Sequence, residues 1–539
     1  MREKTEIVPS HRAPLFLFVV PFGGGLVGAW FLPLAPTPFA VGLAVLLLAL
    51  LAFSGAGGAR WHSAFFFAAV GLGGMHGELL LPRRAPCPEP GSVPREQTVS
   101  VDPLQVFGGP PLGRSHSAIA AVPGEDRTLF LRAPAGRNPA PLLEGFRWEL
   151  RGVERPLASM VDEPGFRTYL KDRGVSAGFE AVLPPRPAGV ERPTASVFAF
   201  LLEEAKAALA AGSSPGDPTT RVYQALVLGQ RRGLEPDQKA DFRDTGTAHL
   251  FAISGLHVGL VGVFLLGLFR TLGLGDGARV VLTLLVLLFY VLLTGAAPSA
   301  VRAYLMLAFF VAAKVVDRGY RPESALAASA LAVLLFAPEQ LFSLGFQLSY
   351  TVVLSILVFG APLGNELVRL TNPPYWLPGR FGSRFFGARK WFFGGLAISF
   401  AAFLASSPLI IDRFHVLPFS SILLNLVLIP PATVVLVAGF LSLVAGLLGI
   451  PGVSAAFNAI ARPVLEAMTA TVGEFAGISF ASLQVAFPRE WIGPALVLAF
   501  LGTAFWTGGR RRFRLRHLGL PLAVLLVSIL VAEDPVQAR

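Results

Sequence analysis

The stretch TAHLFAISGLHVGLV, residues 247–261, is apolar enough to enter a membrane, yet it carries two histidines and a serine, His249, Ser254 and His257. Polar and ionisable groups are costly in hydrocarbon unless they face a protein interior or a water-filled cavity. How these three are compensated decides both the fold and the chemistry open to it.

Working outward, the chain has 539 residues, of which 53% are hydrophobic and only 15% charged. Its mean hydropathy is +0.61. A soluble globule carries about a quarter charged residues, so this composition excludes an ordinary soluble enzyme. Apolar runs of about twenty residues recur, the length that crosses roughly 30 Å of hydrocarbon as a helix. The fold class expected is a membrane protein, a predominantly α-helical polytopic bundle. The net charge of +11 resides in loops between the apolar runs, as expected of cytoplasmic anchoring, with a polyanionic partner as the other reading. Cys87 is the single cysteine, which excludes an intrachain disulfide and a cysteine-rich zinc site. Neither a metal nor a cofactor is expected.

Three apolar runs, 13–33, 38–54 and 61–81, open the chain. The first follows Arg2, Lys4 and Arg12 but no small-residue cleavage pattern follows it, so it reads as an uncleaved span. From 82 to 246 the sequence turns rich in proline, glycine and charge. Alternating stretches such as TLFLRAP (128–134) and FRWELRGV (146–153) read as half-buried strands. They predict an inserted β-rich domain over 82–190, in the manner of a five-stranded barrel. Connecting helices over 191–246 follow. VFAFLLEEAKAALAAG (197–212) and RVYQALVLG (221–229) have amphipathic spacing, and either suits the membrane surface.

A second membrane block, 247–510, holds candidate spans at 247–269, 279–295, 299–316, 323–337, 341–361, 391–411, 416–430, 432–449 and 491–508. A basic loop and a last span, 518–532, fill 511–539. Residues 452–486, with Arg462, Glu466 and Glu474, read as an amphipathic surface helix. A cytoplasmic N-terminus places 82–246 outside. It also brings Arg270, Arg318, the basic loop 362–390 and RRRFRLR (510–516) inside, in accord with the positive-inside rule.

The run TGTAHLFAISGLHVGLVG (245–262) resembles the signature of the ComEC-type competence proteins, the inner-membrane DNA-import channels of transformable bacteria. Similar elements follow in the family's order: YQALVLGQRRGLEPDQKADFRDTGTAH (223–249) before it, then LLTGAAPSAVRAYLM (292–306), PEQLFSLGFQLSY (338–350) and SSILLNLVLIPP (420–431). DEPGFRTYLKDRGVSA (162–177) looks like the end of the family's extracytoplasmic OB-type domain. The resemblance implies a multi-pass inner-membrane channel that passes single-stranded DNA during natural transformation. The partners it implies are the strand, membrane lipid, other competence-machinery proteins and a separate nuclease. Full-length members continue into a metallo-β-lactamase-like domain whose clustered histidines hold metal. The eight histidines here include no such cluster, so that domain is expected to be lacking.

On a continuous helix Ser254 and His257 share a face, with His249 about 80° away. A serine–histidine hydrolase is one reading, but a shared helix at this spacing aligns base and nucleophile poorly, and no catalytic residue is assigned. Helix–helix hydrogen bonding and a hydrated path are the two others. Gly246, Gly255, Gly259 and Gly262 allow close helix approach. Arg302, after Pro298 and Ser299 and well inside a candidate span, must pair, snorkel or face water, and would meet backbone phosphate in a DNA path. Gln347, Ser349 and Asn425 are weaker candidates for the path. Pro430–Pro431 predict broken or re-entrant helices. The expected function is therefore a DNA channel and not an enzyme, with a transporter or exporter of a smaller anionic solute as the alternative.

Overall fold

The computed structural model describes residues 96–533 with short breaks, and before them only Val19, residues 22–26 and Val70. The three runs expected to open the chain thus fall almost entirely outside the described residues. The chain divides into two compact units, Pro82–Ala208 with Gly446–Ile450, and the remainder.

The first unit is built on β1 (Glu96–Gly108), β2 (Ser115–Ala121), β3 (Thr128–Pro134), β4 (Phe146–Arg155), β5 (Val175–Ala181) and β6 (Arg186–Glu191). The first half of β1 pairs antiparallel with β4 and its second half with β2. The ladder continues β2–β3 and β3–β5, the latter parallel, and β5 returns to β4. Five strands therefore close a circuit, with β6 added beside β4. Irregularities at 103–105 and 106–108 let β1 bend through the closure, the usual service of a bulge. Closure leaves few open strand edges. Val101, Leu129, Leu131, Trp148, Leu150 and Phe179 fill one core. The stretch 128–134 is more deeply buried than its alternation predicts. Phe130, on the opposite face, packs with Ile119, Leu157, Met160 and Leu170 in a second cluster. A single helical turn at Leu157–Met160 covers the face that the alternation assigns to water.

From this unit α1 (Pro193–Ala210) leads into the helical one, which continues with α2 (Pro218–Leu228), a 3-10 turn (Arg231–Gly233) and α3 (Pro236–Asp244). The bundle proper comprises α4 (Gly255–Thr271), α5 (Asp276–Leu293), α6 (Pro298–Val315), α7 (Pro322–Phe336) and α8 (Leu344–Leu370). It is completed by α9 (Gly379–Phe414), α10 (Ser421–Leu447), α11 (Pro451–Ala476), α12 (Ile492–Gly508) and α13 (Gly519–Val531). Among the described residues four segments are long and apolar enough to cross a membrane: α5, α8, Phe386–Phe414 of α9, and α10. Shorter apolar helices include α4, α7 and most of α6.

Two expectations are corrected here. The runs 416–430 and 432–449 are not two broken pieces. Residues Ser421–Leu447 form one helix through Pro430 and Pro431. Neighbouring helices hold a proline-containing span together when its own ladder loses hydrogen bonds. Pro431 faces Pro463 of α11 across an apolar groove that Val427, Val464 and Met468 also line. In α8 a π turn at Ile356–Gly360 precedes Pro362, and Ser355 Oγ there donates to the Ala401 carbonyl of α9 at 2.7 Å.

The second correction concerns α2, which does not lie on a surface. Val222, Tyr223, Ala225, Leu226, Val227 and Leu228 are all buried. Gly439 of α10 makes the room, since a Cβ there would meet Val227 at 2.6 Å and Tyr223 at 3.1 Å. Tyr290 of α5 seals the contact, its hydroxyl donating to the Val227 carbonyl at 2.6 Å. Ser454 Oγ donates to the Ser442 carbonyl, which makes α10 and α11 neighbours. At that level Asn458 Nδ2 donates to the carbonyl of Ala211. At the opposite end of α10, Ser420 Oγ donates to the carbonyl of Thr245. With 1.5 Å per residue, residues 420 and 442 lie about 33 Å apart, so 211–245 runs the depth of the bundle. Polar side chains hold it there: Arg462 pairs with Asp217 and donates to Thr220 Oγ at 2.7 Å, and Thr219 Oγ donates to Glu466 at 3.4 Å.

Candidate functional site

The quoted stretch is not one helix. Turns occupy most of residues 245–251, and α4 begins only at Gly255, with Ser254 in extended conformation as its N-cap. His257 occupies the third helical position. Its Nδ1 accepts the Ser254 backbone N–H at 3.0 Å and lies 2.9 Å from Ser254 Oγ. This is a capping box in which a histidine takes the place usual for glutamate or glutamine. The poor alignment inferred from a continuous helix is thereby corrected, because a residue at the cap approaches the third helical position from outside the turn. A nitrogen that accepts a backbone N–H is committed to the cap, and the His257 ring is buried.

His249 sits outside the helix, exposed, with its Nδ1 3.0 Å from the Gly246 carbonyl. Gly246 has φ +71, and a Cβ there would strike Pro418 at 2.7 Å and Ser421 at 2.9 Å, so the turn needs glycine both for its backbone and for its contact with the start of α10.

Four helix N-termini converge on this region. Ser299, in the first turn of α6, donates through Oγ to the Ile253 carbonyl at 2.6 Å. A Cβ on Gly255 would lie 3.4 Å from Ala303 of α6. Gly345, in the first turn of α8, is packed by Arg302, whose Nη2 would lie 3.2 Å from an added Cβ. The start of α10 meets Thr245 and Gly246. None of the four helices has an acidic residue in its first turn. Each N-terminus carries about half a positive charge, which acidic residues ordinarily offset.

Arg302 sits among them, 3% exposed. Nη2 donates to Ser349 Oγ at 3.0 Å, and Nε is buried without a hydrogen-bond partner. Tyr350 is close enough to act on the guanidinium electrostatically. Among the described residues no carboxylate pairs with it. A buried cation beside the positive end of a helix, with no counter-ion, is an unbalanced arrangement that an anion would complete.

The structure therefore joins Arg302 with Ser349, and Ser254 with His257. Gln347 bonds locally, donating to the Leu341 carbonyl at 3.2 Å. Asn425 lies on α10, its Oδ1 buried without a hydrogen-bond partner. Sequence reasoning did not single out Gly345 or Tyr350, although both lie in the quoted run 338–350. Their part depends on which helix stands opposite Arg302, and no local pattern encodes that.

Long apolar helices, prolines within spans and a buried arginine define a polytopic helical protein of the membrane type. The chain belongs to the competence protein family, whose model matches residues 226–510. It is 33% identical over 222 residues to ComE operon protein 3 of Bacillus subtilis, a match covering 41% of this chain and 26% of that protein. Recombination protein 2 of Haemophilus influenzae is 28% identical over 213 residues, 38% of this chain and 26% of that one. An uncharacterised Escherichia coli protein, YcaI, is 31% identical over 147 residues, 26% of this chain and 20% of that one. The matches thus span about a quarter of the length of these relatives. No solved structure matches the chain.

Proposed function

We propose that this protein passes single-stranded DNA through the bacterial inner membrane during natural transformation. The observation that carries the reading is Arg302, a buried guanidinium with no carboxylate partner among the described residues, in the block that matches the competence family. A path for a polyanion needs fixed positive groups that bind weakly enough to release. A guanidinium offers bidentate phosphate contact, and Ser349 holds it at one nitrogen only.

The N-terminus is cytoplasmic and the β unit extracytoplasmic in this reading. Its closed circuit of five strands, with β3 and β5 parallel, supports an OB-type barrel. The chain acts as a passage and not as a catalyst, its Ser254–His257 contact serving the helix cap. Membrane lipid surrounds it, other competence-machinery proteins deliver the strand, and a separate nuclease removes the complement.

The test is uptake of labelled DNA by a competent host. Deletion of the gene abolishes entry of label into the cytoplasm while surface binding persists, and unchanged entry would refute the reading. A single buried arginine also suits a transporter of a smaller anionic solute. In that case DNA uptake survives deletion and accumulation of the solute changes.

A further inference from the structure

The amphipathic stretch after α10 supplies α11, which runs antiparallel beside that span. Ser454 meets Ser442 near one end, and Pro463 and Ala467 share a groove with Pro431 and Val427 further along. Val434 is the middle residue of α10. At 1.5 Å per residue, Arg462 and Glu466, the neighbours of Pro463 and Ala467, lie within about 10 Å of mid-span. That is inside a hydrocarbon layer whose half-thickness is about 15 Å.

Arg462 is paired with Asp217, the N-cap of α2, and Thr219 Oγ donates to Glu466 at 3.4 Å. Two carboxylates thus stand beside one guanidinium, and the group as a whole does not neutralise itself. Nor is it sealed from solvent. The Arg462 and Asp217 side chains are 20% and 19% exposed, and Glu466 is exposed. A carboxylate at this depth is costly against lipid and faces the bundle interior or a water-filled cavity. Its stem is too short to carry the charge out to the interface, as a lysine or arginine would. The stripe that carries Glu466 also offers lipid no large apolar side chain, its other exposed positions being Ala459, Ala470 and Gly473. By contrast, α5 exposes Val281 and Leu285, and α13 exposes Leu526 and Leu530.

We propose that this flank of α11 is the wall of a water-filled path at mid-membrane depth, with Ala459 and Glu466 at its surface and the Asp217–Arg462 pair behind them, and that the single strand travels along it. The inference rests on the DNA-import reading and adds to it the part of the chain that bounds the path. Small side chains leave the width that nucleobases need. A guanidinium already held by a carboxylate does not trap phosphates, so the wall gives passage and not a seat.

The experiment uses the full chain with its single cysteine replaced, Cys87→Ser, and one cysteine introduced at a time. Glu466→Cys, Ala459→Cys and Leu285→Cys, the last on the exposed face of α5, are placed in nanodiscs and treated with a charged, membrane-impermeant methanethiosulfonate. The thiolate is the reactive form and needs water, so the first two are expected to react at least about tenfold faster than Leu285→Cys. Ala459→Cys leaves the charged group intact and carries the test should Glu466→Cys fold poorly. In competent cells, modification of Ala459→Cys is expected to lower uptake of labelled DNA at least about tenfold by obstructing the path. Unmodified Ala459→Cys and treated Leu285→Cys should match the Cys87→Ser parent. A folded Ala459→Cys protein that reacts no faster than Leu285→Cys overturns the proposal and leaves the DNA-import reading standing. Complete modification without loss of uptake does the same. Unchanged DNA entry in the deletion strain overturns both.

Discussion

Ser254 Oγ lies 2.9 Å from His257 Nδ1, and the same nitrogen receives the Ser254 backbone N–H. The pair has the separation of a catalytic dyad but the connectivity of a helix cap. Ser254→Ala is expected to cost about 1 kcal/mol of stability, as loss of an N-cap does. DNA uptake should stay within a few-fold of the wild type. Thermal unfolding in detergent and a transformation assay measure the two separately; abolished uptake in a folded variant would restore the hydrolase reading.

Gly345→Ala should separate function from folding in the opposite sense. Alanine in the first turn of a helix is favoured over glycine by about 1 kcal/mol, so stability is expected to hold or rise. Its Cβ, however, would lie 3.2 Å from Arg302 Nη2 and displace the guanidinium. Uptake of labelled DNA is expected to fall at least tenfold. Gly259→Ala, with nothing within 4 Å of the added carbon, serves as the control and should retain uptake.

The contact of Gly439 with Val227 and Tyr223 predicts a defect of packing alone. Gly439→Ala drives a methyl to 2.6 Å from Val227 Cγ2 and should destabilise the protein by about 1–3 kcal/mol. Adding Val227→Ala is expected to recover part of the loss, because the two sites share one space. Unfolding temperatures of the single and double variants test this, and strict additivity would show that α2 is not wedged against α10.

Asp217 and Arg462 pair across the connector, and each side chain is about one-fifth exposed. Removing one charge leaves the other poorly solvated, so Asp217→Asn or Arg462→Gln should each cost about 1–3 kcal/mol. The double variant should cost less than their sum. A double-mutant cycle on thermal unfolding measures the coupling, and a value near zero would mean the pair does not hold the connector.

Much of this architecture can be read along the chain. The helices α5, α6, α7 and α12 begin and end within about three residues of the apolar runs that predict them, since burial in any apolar surrounding demands a continuous helix. The strands at 128–134 and 146–155 follow their alternation in the same way. Arg302 stands out from the sequence because a charge inside an apolar run is an anomaly wherever it is placed. The interruption at 245–254 is less legible. Its residues are as apolar as a span, and only the left-handed Gly246 and the cap at Ser254 show that the helix starts later.

The sequence by itself determined the membrane-type helical block, the inserted β unit, the competence-family motifs and the presence of a charge that needs an answer. These follow from composition, periodicity and short-range order, which depend on neighbours a few residues apart. Tertiary structure alone decided that α2 lies inside the bundle, that Pro430 and Pro431 do not break α10, and that Gly345 and Ser349 face Arg302. It also decided that Gly229 and Ser299 meet the same residue, Ile253. Those outcomes depend on which surfaces meet across tens or hundreds of residues. A glycine such as Gly439 makes room for Tyr223 only once the chain has brought the two together.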